Sequence, residues 1–382
     1  MRGVNLYSSL LSALAVLSAT SIAQATIIED LIGDVAFAPV SVTLDTPDAA
    51  TNINGVVHVV GQHNGQAARQ LIDIATGTVG QVEFFDSLLS AGGQSGNPAG
   101  KIFGVNQLAN GDVIYVGWSA GLIDTVQPTY WFGPDAPEGG VGGAGVADSG
   151  EIYAVSQGGV FVGSDDVALY GSPGGIPQNL PGFNPVVAVD ISDNSQFIVG
   201  DYIWKQDAVG AYDVLDTSGF DFAIVGQLPA WKAVAIDPVV GDAVFAGSYF
   251  DLATFSESVG FWRADGTFLG HSGANTYFRD FEIWEGQLVA GVADNDDSYL
   301  FAISDFSWVA LEEILGVKSV IYDDGLFVGS AGFLSSGTNG AFLTTRTTHD
   351  QNGNGGGTEV PEPSSLLLIS AGFALTRRMR RR

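Results

Sequence analysis

The chain has 382 residues, of which 46% are hydrophobic and 52 are glycine; it has no cysteine, and 14 Lys+Arg stand against 42 Asp+Glu for a formal net charge of −28. The apolar content excludes general disorder. The lack of cysteine excludes disulfides and thiolate chemistry, and the acidity excludes a nucleic-acid partner, whose phosphates it would repel.

In chain order, the first segment reads as a secretory signal. Met1-Arg2 gives a positive start, Leu10 to Leu17 an apolar core, and Ala23-Gln24-Ala25 a small-x-small cleavage site. Cleavage at this site, defined by Ala23 and Ala25, removes residues 1–25 as a signal helix and makes the secretion machinery the first partner. No other stretch approaches the roughly 18 apolar residues of a second span.

Residues 26–345 are expected to form one all-β repeat domain. Short runs rich in Val, Ile, Phe, Tyr and Trp alternate with Asx-Gly turns or their equivalents. The turns fall at Gly55, Gly111, Gly150, Ser195, Gly241, Gly286 and Gly325. A period of about 40–50 residues with four short strands per unit predicts a β-propeller, here of seven blades. Gly260 to Gly270, Thr129 to Phe132 and Gly340 to Leu343 read as later strands of the unit. The stretch Val35 to Leu44 is placed to close the ring by joining the last blade, at an edge because of Pro39. Two tandem antiparallel sandwiches split near Pro173–Pro185 are the competing arrangement, which the regular period disfavours. The unit, apolar-Asp/Asn-x-x-Gly-x-x-apolar-apolar-Gly-Ser followed by Ala-Phe-aromatic, loosely resembles the extracellular HAF-type repeats. That resemblance implies propeller architecture and no activity.

Residues 346–359, with His349-Asp350-Gln351-Asn352-Gly353-Asn354-Gly355, read as a flexible linker. The chain then ends in Val360-Pro361-Glu362-Pro363, an apolar run from Leu366 to Leu375, and the basic cluster Arg377, Arg378, Arg380, Arg381 and Arg382. A stable spanning helix needs about 20 apolar residues. This shorter C-terminal helix is suited to transient membrane insertion, with its arginines held on the cytoplasmic side. The order of tripeptide, apolar run and arginines resembles the PEP-CTERM sorting signal of bacterial envelope proteins. The resemblance implies that residues 360–382 are a sorting segment, in which an exosortase recognises Pro361-Glu362-Pro363 and removes the tail. It also implies export to the cell envelope, the cell surface or the extracellular matrix of a bacterium.

Candidate chemistry is sparse, and no catalytic residue is assigned. Gly117-Trp118-Ser119-Ala120-Gly121 has the Gly-x-Ser-x-Gly pattern but lacks the helix that a hydrolase nucleophile needs, so it reads as a strand-end turn. His58 and His63 flank a turn with no close acid and read as a solvated hairpin. Asp294, Asp296 and Asp297 form the densest oxygen cluster and are the calcium candidates, although the glycine and closing glutamate of a calcium loop are missing. A polar turn is the simpler reading, and no other cofactor is expected. The glycine-rich stretches lack the ending of a phosphate cradle. Trp118, Trp131, Trp204, Trp262 and Trp308 read as core rather than as a sugar-stacking platform.

The expectation is an exported propeller with a non-catalytic binding or structural role towards polysaccharide or matrix proteins. A secreted hydrolase or lyase with an acidic site at the propeller channel is the alternative. Asp148, Asp190, Asp237 and Asp323 discriminate between the two, and they are expected to cap turns rather than point into the channel.

Overall fold

The computed structural model describes residues 35–348, apart from 89–98, 122–125, 135–136, 141–149, 165–166, 176, 183–186, 223–227, 252–253, 328–331 and 338–339. The signal segment with Ala23 and Ala25, Asp148, His349 and the tail from Val360 to Arg382 lie outside the described residues, and so do the two terminal helices expected from the sequence.

The chain is an all-β propeller with almost no helix among the described residues. Its strands form seven four-stranded sheets, six of them made of consecutive antiparallel strands. The first of these six holds β2 Thr46–Ile53, β3 Val56–His63, β4 Gln66–Asp73 and β5 Thr78–Phe84. The second holds β6 Gly100–Gln107, β7 Val113–Ser119, β8 Gln127–Trp131 and β9 Pro137–Gly140. The third holds β10 Glu151–Val155, β11 Phe161–Ser164, β12 Ala168–Gly171 and β13 Gln178–Asn179. The fourth holds β14 Ala188–Ile191, β15 Phe197–Gly200, β16 Ile203–Gln206 and β17 Tyr212–Val214. The fifth holds β18 Ala230–Ile236, β19 Ala243–Asp251, β20 Ser256–Arg263 and β21 Phe268–His271. The sixth holds β22 Tyr277–Trp284, β23 Gln287–Ala293, β24 Ser298–Ala302 and β25 Trp308–Ala310, followed by the short helix α1 Leu311–Leu315. The last sheet has the order β1-β28-β27-β26, in which β1 Val35–Ser41 stands at the edge beside β28 Gly340–Thr348, then β27 Gly332–Gly337 and β26 Val320–Phe327. The edge position suits Pro39, which has no N–H to donate.

The first strands touch one another in cyclic order β2, β6, β10, β14, β18, β22, β26, and β26 meets β2 again. The apolar core lies between adjacent sheets. One cluster joins Phe197, Val199 and Ile203 to Trp231, Phe245 and Trp262. Another joins Leu334 of the last sheet to Ala50, Val57 and Ile72 of the first, so the ring of packing also closes. Trp131, Trp204 and Trp262 are fully buried on third strands. Their indole N–H groups donate to the carbonyls of Asp86 (2.9 Å), Pro181 (2.7 Å) and Asp221 (3.0 Å), each in the chain just beyond the preceding sheet. The core reading of these three tryptophans therefore agrees with the structure. Trp308, by contrast, is exposed.

Five of the expected turns join a first strand to a second. Asn54-Gly55 and Glu285-Gly286 have positive φ at both residues, as the tightest hairpins require. Two turns differ from expectation. Gly150 precedes β10, and the hairpin that follows β10 is closed by Ser156 and Val160. Gly325 lies inside β26, where the ladder jumps from Ile321 to Leu326. In both places a glycine near an acid mimics a turn in the sequence.

Candidate binding site in the central channel

Each of the first six sheets has a bulge in its first strand, at the same level of the ring. The irregularities fall at Pro47/Ala49, Ile102/Gly104, Ile152/Ala154, Ala188/Asp190, Trp231/Ala233 and Phe278/Asp280. A bulge adds one residue to one strand and re-aims its side chain. The added residues are Asp48, Phe103, Tyr153, Val189, Lys232 and Arg279. In β26 the excursion is longer and includes Asp323 and Asp324. All eight residues line a single cavity of about 810 Å³.

A second cavity, of about 490 Å³, is lined by the following residues of the same seven strands. The two share Asp190, Ala233 and Asp324. They are therefore two halves of one channel through the ring, with a waist at these residues.

The mouth made by the bulges is divided chemically. One arc is ionic: Lys101 pairs with Asp48 at 2.7 Å, and Arg279 pairs with Asp323 at 2.9 Å. Burial raises the Asp48 carboxyl to about 6, despite the opposing pull of Lys101. The other arc is aromatic, with Phe103 and Tyr153 in contact at 5.4 Å between ring centroids. Lys232 stands apart and exposed, and among the described residues it has no ion-pair partner. The chain has only 14 Lys+Arg, yet three cations meet here.

The waist and the far half are acidic. Asp190 accepts from the N–H groups of Ile191 (2.7 Å) and of Val234 (2.9 Å) in the next sheet. Asp280 likewise accepts from Leu326 of the next sheet at 2.8 Å. Glu282 accepts from Ile283 at 3.1 Å, and Asp193 accepts from Asn106 at 3.3 Å. Burial pushes Asp190 up to about 7 and Glu282 to about 8. Asp280 and Asp324 are raised well above the carboxylate range, first by burial and then by the acids that face them. Among the described residues no cation forms an ion pair with these carboxyls, so burial favours their protonated forms. Asp190 and Asp280 each follow a bulge directly and tie one sheet to the bulged strand of the next.

The turn-cap expectation is thus corrected for two residues. Asp190 and Asp323 line the channel. Asp237 does cap its turn, accepting from Val239 at 2.9 Å. A shift of one residue moves a strand side chain to the other face, and these acids sit at different offsets from their turns. Lys232, Arg279, Asp280 and Glu282 were not singled out from the sequence. Their signal is a charge inside an otherwise apolar run, as in Trp231-Lys232-Ala233-Val234.

The remaining candidates have structural roles. Ser119 ends β7, is buried, lies 3.0 Å from the Thr129 hydroxyl and accepts from the N–H of Leu88 at 3.2 Å. His58 is buried, not solvated, with Nδ1 2.7 Å from the Tyr115 hydroxyl, and burial followed by Arg69 lowers it to about 4. His63 does have an acidic neighbour, Asp45, at 3.1 Å. Among the calcium candidates, Asp294 accepts from the N–H groups of Asp296 (2.7 Å) and Asp297 (2.8 Å), while exposed Asp296 lies 4.0 Å from Lys318. Asp297, only 3% exposed, accepts from Glu312 at the start of α1 and from Ser319. Among the described residues no group of three His, Asp or Glu is placed to hold a metal. Asp297→Asn leaves one buried N–H without an acceptor, which costs about 1–2 kcal/mol. Urea unfolding should read this as a lower midpoint with an unchanged slope.

The fold and site define a β-propeller with a divided central channel. Among solved structures the chain is similar to the β-propeller domain of Myceliophteria thermophila Cps50 (Swd1), with TM-score 0.52 and 8% identity over 81% of this chain and 100% of that one. It also matches the WD40 domain of Toxoplasma gondii coronin, with TM-score 0.48 and 10% identity over 83% of this chain and 88% of that one. The first likeness bears on the fold alone. No curated protein matches the chain. The family model of the PEP-CTERM protein-sorting motif matches residues 359–382. The chain carries a PEP-CTERM sorting motif at its C-terminal end, which implies export and processing by an exosortase.

Proposed function

We propose that this protein is an exported, non-catalytic binding propeller of seven blades, displayed at the envelope surface or in the extracellular matrix. On this reading residues 1–25 are its signal, 346–359 its spacer and 360–382 a sorting segment whose tail beyond about Pro363 the exosortase removes. The observation that carries the binding role is the ring of bulges. It gathers ionic and aromatic side chains from six of the seven first strands at one mouth, an arrangement that suits recognition and that closing a ring does not require. The acids of the waist would suit a hydrolase or lyase. However, Asp190 and Asp280 accept backbone N–H groups across sheets, which favours a scaffold role for them. Propellers host both classes, so the site and not the fold decides.

Intact mass and fractionation of the protein from cells with and without the exosortase test the sorting part. A mass ending near Pro363, with release to the surface or medium only when the exosortase is present, is expected. A mass that retains Arg382 in the inner membrane of both strains overturns it.

A further inference from the structure

Six of the seven tryptophans are buried or half-buried, and Trp308 alone is exposed, at 56%. Val209, Leu228 and Phe255 are also exposed but lie outside strands, whereas Val79, Phe84, Val214, Phe250 and Tyr277 are exposed on strands and less so than Trp308. Trp308 opens the outermost strand of the sixth sheet and pairs across it with Phe301. Together with Tyr299 and Phe301 it lines a cleft of about 200 Å³, outside the channel. Ser272, Ala274 and Thr276, from the connection between β21 and β22, and Asp294 complete its lining.

The polar groups of this cleft are fixed. Tyr299 donates its hydroxyl to Asp294 at 2.9 Å, and Asp294 also takes the N–H groups of Asp296 and Asp297. Burial opposes ionisation of Asp294, but these donors outweigh it and hold the carboxyl below its usual range. Thr276 donates to the carbonyl of Gly273 at 3.0 Å and lies against the Ser272 hydroxyl, which also accepts from the N–H of Val259 at 3.2 Å, so each hydroxyl oxygen keeps one acceptor site.

We propose that this cleft is a carbohydrate subsite, in which the face of a neutral hexose lies on Trp308 and its hydroxyls meet Thr276, Ser272 and Asp294. An aromatic face matches the apolar face of a pyranose, and the hydrogen-bonding groups beside Trp308 match its hydroxyls. Charge selects the class of sugar. The fixed carboxylate of Asp294 and the net charge of −28 repel uronates and sulfated or phosphorylated sugars. A quaternary ammonium ion needs a box of rings with space inside it. Here Trp308 packs edge-on against Tyr299 at 5.7 Å and nearly parallel to Phe301 at 6.4 Å, so the rings fill one another's space. The subsite stands apart from the channel and does not depend on the reading given above.

The test uses the full chain and neutral acrylamide quenching of tryptophan fluorescence, to which Trp308 is the most accessible indole. Cello-, laminari- and maltohexaose are titrated, with a galacturonate hexamer and choline as charged controls. At least one neutral hexamer should shield Trp308. Trp308→Ala, followed by calorimetry, should weaken binding about tenfold or more at an unchanged melting temperature, and Trp308→Phe should retain part of the affinity. The proposal is overturned if no neutral hexamer shields the indole, if Trp308→Ala binds equally well, or if galacturonate or choline shields it instead.

Discussion

Gly117→Ala is expected to lower the melting temperature by roughly 5–10 °C, for a loss of about 3 kcal/mol. Gly117 stands opposite Ile102, just before the bulge at Phe103. A Cβ there would lie 2.0 Å from the carbonyl oxygen of Lys101 and 2.9 Å from Cα of Ile102. Both are backbone atoms that cannot swing aside, so the bulged strand itself must move. The same relation recurs around the ring. Gly61, Gly163, Gly200 and Gly247 face the residue before the bulge in four other sheets. For Gly163 and Gly200 the added Cβ meets a carbonyl oxygen at 2.0 and 1.9 Å. Thermal melting checks the prediction, with Gly111→Ala as the comparison. The φ of Gly111 is +93°, and nothing lies near its Cβ position, so its cost is conformational only. If Gly117→Ala costs no more than Gly111→Ala, the close approach is not what fixes the bulge.

The second large effect is that the protein loses stability as pH rises from about 4 to 8. Glu282 and Asp190 titrate near 8 and 7 in the folded chain, because burial disfavours their charged forms. In the unfolded chain such groups titrate near 4. Between those values the folded state holds protons that the unfolded state has released, so unfolding becomes easier as pH increases. The contribution is fully present below about pH 4 and is lost as pH passes through 7 to 8. Water in the channel screens part of the effect, and a loss of about 2 kcal/mol across the window is expected. Glu282→Gln keeps a carbonyl oxygen for the N–H of Ile283 and removes the titration. Melting temperatures from pH 5 to 9 should fall less steeply in this variant, which should gain stability at pH 9 and change little at pH 5. An identical slope in both proteins would show that the carboxyl is fully hydrated in the fold.

Much of the architecture was legible because turns and strands leave local marks. Asn54-Gly55, Asn110-Gly111 and Glu285-Gly286 between apolar runs give the repeat and its period. Ring closure could be anticipated from Val35 to Leu44 because a β-rich stretch with a proline suits an edge. The channel was less legible. A bulge has no residue signature of its own, and its partner glycines look like the turn glycines nearby. Asp190 therefore resembled Asp237 in sequence, although one faces the channel and the other caps a loop. Gly325 resembled a hairpin turn because Asp324-Gly325 is the usual pair, yet the chain uses its left-handed Asp324 to push two acids inward within a strand. Trp308 resembled the latching tryptophans because its neighbours are equally apolar. Only its place on an outermost strand leaves it uncovered.

The pairing of β1 with β28 has a mechanical consequence. In its sheet β28 is flanked by β27 on one side and β1 on the other. Tension on the chain beyond Thr348 is delivered to β28, the strand from which that chain leaves the propeller. To yield, β28 must release hydrogen bonds along both of its edges together, one ladder being to the segment that begins the folded body. A load applied at one end of the domain is thereby shared with the other. The join that covers the edge of β28 also makes the attachment point an inner strand of its blade, held on both sides.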